Sequence, residues 1–109
     1  MFTDEDSFVD VRENSTIHWI VPNAQKNDME PILLELEPGG KSQEISVHEG
    51  EEFGYVLSGK VQLLNLDTNQ KFTVKKGQTF YLKGTFSHVL ENDGTQNAKV
   101  LWICTPPLF

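Results

Sequence analysis

Leu34 and Leu36 alternate with Glu35 and Glu37 near the middle of the chain, the period-two pattern of a strand with one buried face. Pro38-Gly39-Gly40 ends that pattern. Apolar centres bounded by Gly, Pro, Asn and Asp clusters recur along the rest of the sequence. They predict strands over 8–12, 16–21, 32–37, 45–48, 53–57, 61–66, 71–74, 79–82, 87–91 and 98–105. Ser58-Gly59-Lys60 separates two of them at hairpin spacing. Helical periodicity is almost absent. Only 23–30, bracketed by Pro22 and Pro31, offers a turn of helix, and it has no apolar face. Strands this short and this evenly spaced predict an all-β sandwich or closed barrel.

Length allows one domain and not two. A chain of this size hides roughly 60–70% of its unfolded surface, enough for a core without staples. The 38% apolar content, rich in Val, Ile, Leu and Phe, excludes a disordered chain. Cys104 is the only cysteine and has no partner for an internal disulfide, which suits a reducing cytoplasm. The first ten residues hold four acids and no base, unlike a secretory leader. No apolar run approaches the ~20 residues that cross a bilayer, so no membrane role is expected. Nine basic against sixteen acidic residues leave a net charge of −7, which repels phosphate backbones. The chain by itself is not expected to hold DNA.

Three histidines remain as candidate chemistry: His18, His48 and His88. A lone strand histidine is usually structural, and His18 reads that way. His48 ends one predicted strand and Glu52 opens the next across Glu49-Gly50-Glu51, so both side chains can face one interior. From Glu52, alternation sends Gly54 and Val56 to the same side and leaves room over the carboxylate. Two histidines and a carboxylate are the ligands of a facial triad with open positions. The same acids also read as a solvated turn. Phe53, Tyr55 and Leu57 point the other way, toward another sheet or a partner. Trp19, Phe80, Tyr81 and Phe86 are aromatics that could line a pocket, although barrel aromatics are more often core.

The arrangement resembles the two motifs of the cupin superfamily. Ser46-Val47-His48, Glu52 and Gly59 match the first; Gly77, Lys83-Gly84-Thr85, His88 and Asn92 match the second. Gly59 and Gly77 sit where a tight turn needs a positive φ or close packing. The run from His48 to Gly59, and the ending Leu101 to Phe109 with its Thr-Pro-Pro, are similar to the C-terminal cupin sensor domain of Xre-family helix-turn-helix regulators. The approach from Met29 through Gly40 is similar too. The resemblance implies a double-stranded β-helix, the jelly-roll cupin barrel with little helix, as one domain over 1–109. Its N-terminal strands would occupy 1–38 and its barrel core 39–109.

The resemblance also implies a site. His48, Glu52 and His88 would be the metal ligands, and Ser46, Tyr55, Phe86 and Trp102 would contact a ligand. The metal would be a divalent ion such as Zn, Fe, Ni or Mn. Ser46 stands where cupins usually place a first histidine, and a hydroxyl is a poor ligand beside imidazole, so metal is expected to be weak or absent. The implied function is small-molecule sensing for a transcription regulator and not catalysis. DNA would be reached only through a helix-turn-helix that this chain lacks. Either a longer regulator carries that domain or the cupin stands alone; the alternative function is a small metal-dependent dioxygenase or isomerase. Cupins usually dimerise, so a homodimer is expected, with a small-molecule effector as the other partner.

Overall fold

A computed structural model describes residues 1–109 as nine strands and two single 3-10 turns. The strands are β1 (Phe8–Arg12), β2 (Ser15–Trp19), β3 (Glu30–Leu36), β4 (Glu51–Ser58), β5 (Lys60–Asn65), β6 (Lys71–Lys75), β7 (Thr79–Lys83), β8 (His88–Glu91) and β9 (Ala98–Thr105). They form an antiparallel six-stranded sheet, ordered β1-β2-β3-β9-β4-β7, facing a three-stranded sheet, ordered β6-β5-β8. This is a jelly-roll barrel. β3 is hydrogen-bonded to β9 from Glu30↔Cys104 to Leu36↔Ala98, so the N-terminal strands share one sheet with the barrel core.

Period-two alternation builds the interior. Buried positions alternate along β3, β4 and β9, sending Ile32, Leu34 and Leu36, then Val56, then Val100 and Trp102, to one face. Val61, Leu63 and Leu90 meet them from the smaller sheet in a single core. Each such side chain contributes about 1.5–3 kcal/mol by leaving water.

Two expectations from the sequence are corrected. Residues 45–48 are not a strand, because Ile45 makes only an isolated bridge to His88. Ser58-Gly59-Lys60 does not close a hairpin either; it carries the chain from β4 in one sheet to β5 in the other. A bulge between Val56 and Ser58 and a φ of 71° at Gly59 redirect the backbone. A Cβ at Gly59 would also stand 3.1 Å from the Ala98 side chain, so close packing and turn geometry both require glycine. The predicted turn of helix after Pro22 shrinks to Ala24–Lys26.

Gly54 decides how the two large rings of the core fit. It lies opposite Phe80 in β7 and Trp102 in β9, whose rings meet edge-on at 6.2 Å. A Cβ on Gly54 would overlap the Phe80 ring. Gly54→Ala should therefore cost about 1–3 kcal/mol through overpacking. Chemical denaturation measures it, and an unchanged midpoint would mean that Phe80 yields freely.

Candidate functional site

Glu52 is almost completely buried, and each of its oxygens is engaged. Trp102 Nε1 donates to Oε1 at 2.9 Å, and His88 Nε2 lies 2.8 Å from the same oxygen. His48 Nε2 lies 2.9 Å from Oε2. The partners come from the segment before β4, from β8 and from β9, so the carboxylate joins both sheets. Pleat alternation turns Glu52 inward with Gly54 and Val56. His48 is placed by its backbone N–H, which donates to the Gly84 carbonyl at 3.0 Å. Gly84 has no Cβ to strike that histidine's main chain.

The second ring nitrogens define the protons. His88 Nδ1 faces the Phe86 carbonyl at 3.0 Å and His48 Nδ1 faces the Glu49 carbonyl at 3.2 Å. A carbonyl only accepts, so each Nδ1 donates. When His88 Nε2 donates to Glu52 as well, its ring is an imidazolium beside a carboxylate, a charge-assisted bond in a dry setting.

The donor types, two imidazoles and a carboxylate, are those of a facial triad, and Nδ1–H bonds to carbonyls are how ligating histidines are oriented. The donor positions do not fit an ion as they stand. Glu52 lies between the rings and presents a different oxygen to each, and no three His, Cys, Asp or Glu side chains are arranged to hold a metal. Each histidine ring instead hydrogen-bonds to one carboxylate oxygen.

The other sequence candidates divide. Phe86 is half-buried with its ring 5.4 Å from that of His88. It lines a cavity of about 500 Å³ between the edge strands β6 and β7, together with Leu63, Phe72, Val74, Phe80 and Leu82. Tyr81 lies on the rim of this cavity, whereas Trp19 borders a different hollow beside Phe8 and Val21. Trp102 is fully buried and touches Glu52 rather than the cavity. Tyr55 is a correction: alternation along β4 places it on the outer face, 38% exposed and on the side away from Glu52. Ser46 is exposed and makes no hydrogen bond to the cluster. His18 is outside the site, 3.8 Å from Glu35.

Sequence reasoning missed Glu30. It is fully buried at the start of β3, and its Oε1 accepts from the backbone N–H groups of Leu108 and Phe109 at 2.8 and 2.6 Å. That bond folds the tail back, so that the Phe109 ring packs 4.9 Å from Trp102. No local signal marks an acid that waits for a segment so distant in the chain. Burial and the Glu52 and Glu30 carboxylates push the Cys104 thiol far up, so it stays protonated and is no nucleophile.

Burial alone would raise the Glu52 pKa. Hydrogen bonds from His88, His48 and Trp102, with the His88 charge, hold it below its ordinary 4.5. For His88, burial opposes the charge, yet the Glu52 hydrogen bond, the Phe86 carbonyl and the Glu52 charge raise it above 6.5. The raised His88 contributes stability that is complete below pH 6.5 and lost as pH rises through its folded value. The lowered Glu52 contributes stability that is present above pH 4.5 and lost as pH falls through its own. Unfolding free energy measured against pH should peak between these limits, and Glu52→Gln should flatten the alkaline fall. An equal alkaline fall in that variant would dissociate the effect from this pair.

A family model described as Cupin domain matches residues 32–104. An uncharacterized protein of Methanocaldococcus jannaschii is 36% identical over 87 residues, covering 79% of this chain and 68% of that protein. Among solved structures, a predicted oxalate decarboxylase from Thermotoga maritima superposes with a TM-score of 0.80 at 16% identity, over 96% of this chain and 97% of that one. The Cupin_2 domain of an XRE family transcriptional regulator from Enterobacter cloacae gives 0.73 at 19% identity, over 88% and 100%. The polyketide cyclase RemF from Streptomyces resistomycificus gives 0.76 at 22%, over 98% and 81%. These likenesses share the fold, and the family match runs from β3 to β9 through every residue of the Glu52 cluster: the chain belongs to the cupin domain family.

Proposed function

We propose that this chain is a small-molecule-binding cupin, the sensing domain of a transcription regulator whose DNA-binding domain is a separate unit. The observation that carries the binding is the apolar cavity between β6 and β7. Its volume and its lining, mostly apolar with Asn65, Gln70 and Thr73 as polar points, are those of a small-ligand site. Phe86 joins it to the His88–Glu52 pair, so a ligand there feels a fixed charge pair behind an apolar wall. The regulator role is supported by the likeness to the XRE family cupin domain and by a net charge that leaves DNA to another domain. An effector acts only by binding two states differently.

The test is a panel of aliphatic and aromatic carboxylic acids scored by thermal shift. Binding at 100 times Kd stabilises by about 2.7 kcal/mol. At least one acid should raise the midpoint, and Gln70→Trp, an exposed position on the cavity rim, should abolish the rise. An unchanged response in Gln70→Trp would sink this cavity as the site. A shift of duplex DNA by this chain alone at physiological salt would overturn the division of labour.

The donor types of the buried cluster, though not their present positions, support a second reading, a cupin enzyme that uses a divalent ion. His48 and His88 would have to give up their hydrogen bonds to Glu52 for the three to hold it, and it would supply a Lewis acid. Iron or nickel in stoichiometric amount in untagged protein, lost in Glu52→Ala, would move this reading to first place.

The outer face of the large sheet supports a homodimer. Tyr81, Phe53, Ile103 and Pro31 stand in one cross-strand row, and Tyr55, Leu101 and Leu33 in the next. Glu35 and Lys99 border the rows with both signs of charge, which suits a two-fold self-contact. Light scattering should give a dimer at tens of micromolar and a monomer for Tyr55→Glu.

A further inference from the structure

At the end of the barrel away from Glu52, a second cavity of about 400 Å³ is lined by no apolar side chain. Lys60, Lys75 and Lys76 contribute its charge, with Thr95 and Gln96 beside them. Glu52 lies near one end of β4 and Ser58 at the other, so the two sites are about 20 Å apart at the rise of a strand.

The charge distribution here is unusual for this molecule. Three of the nine basic residues gather on one concavity of a chain whose net charge is −7. No acid lines it. Lys41 and Lys71 pair with Glu91, and Lys99 pairs with Glu35, whereas Lys60, Lys75 and Lys76 make no ion pair. Lys60 and Lys75 are also direct cross-strand partners at the start of the β5–β6 ladder. Like charges in that position destabilise a sheet, so the pair costs stability unless an anion lies between them.

The opposite wall is held in shape. Asn92 Nδ2 donates to the carbonyls of Leu36 and Gln96 at 2.9 and 2.7 Å, and its Oδ1 accepts from the Gly94 N–H at 3.0 Å. These bonds fix the β8–β9 turn from within and leave the side chains of Thr95 and Gln96 free for a ligand. Gly94 lies beside Lys60 in the lining, a Cβ there standing 3.4 Å from the Lys60 Cε.

We propose that this cavity binds a small organic phosphate, with the Lys60, Lys75 and Lys76 ammonium groups on the phosphate and Thr95 and Gln96 on the polar body attached to it. Lysine binds phosphate as a point charge, and three of them match a doubly charged ester better than a single carboxylate. The all-polar lining selects a hydrophilic ligand, distinct in kind from an occupant of the apolar cavity. A nucleic-acid backbone shares the phosphate chemistry, but a concave pocket on an acidic protein suits a free small molecule.

Inorganic pyrophosphate is the probe, titrated by calorimetry at low salt into the full chain. It should bind saturably with one site per chain, and the backbone amides of Gly94, Thr95 and Gln96 should move most in NMR spectra. Lys60→Gln and Lys75→Gln should each weaken binding by about tenfold, while Lys83→Gln, an exposed lysine at the other end of the barrel, should leave it unchanged. Without anion, Lys60→Gln should melt no lower than the parent, because it removes a like-charge pair. Equal losses in Lys60→Gln and Lys83→Gln, or no saturable binding, would overturn the proposal. A short oligonucleotide that competes as well per phosphate as pyrophosphate would overturn the small-molecule assignment.

Discussion

The buried carboxylate of Glu52 is the constraint from which the arrangement of this barrel follows. A charge with almost no access to water must be matched by donors, and here Trp102, His88 and His48 provide them from both sheets and from the segment before β4. Removing a single partner from such a buried set typically costs 3–5 kcal/mol, because the remaining charge stays uncompensated. The cluster therefore sets which residues stand opposite one another at this end, much as a core residue does, while keeping a charged pair inside.

Satisfying Glu52 has consequences for its neighbours. Gly54 leaves space for the Phe80 ring, which packs edge-on against Trp102. Phe109 covers the other side of Trp102, and Glu30 holds that tail in place through two backbone N–H groups. The interior at this end is thus closed by protein on the tail side and approached by the apolar cavity beside Phe86 on the other. A ligand in that cavity would meet an apolar wall and, behind Phe86, a fixed ion pair whose field is little screened.

Charge and apolar surface are segregated over the molecule. The large sheet carries apolar rows outward, the cavity between β6 and β7 is apolar inward, and three lysines without ion pairs gather at the far end of the barrel. An acidic chain that concentrates lysines on one concavity holds a local potential opposite to its overall one. The two ends of the barrel consequently offer different chemistry on one rigid scaffold.

Much of this was legible in the sequence. Alternation of Leu34 and Leu36 with Glu35 and Glu37 specified β3, and the Gly-Pro-Asn punctuation located nearly every other strand, because a pleated strand half-buried on one face needs that pattern. The same parity placed Glu52 inside and Phe53, Tyr55 and Leu57 outside, which is why Tyr55 lies away from the site. Tertiary structure alone decided the rest. Whether Ser58-Gly59-Lys60 closes a hairpin or changes sheet depends on Ala98, packed against Gly59 from β9. That His48 and His88 both meet Glu52 depends on packing across the two sheets, with Trp102 and the carbonyls of Glu49 and Phe86 fixing the orientations. The partners of Glu30 lie at the far end of the chain, and the lysine cavity joins residues from three separate turns. Local patterning encodes which face a side chain takes; only long-range packing encodes what it meets there.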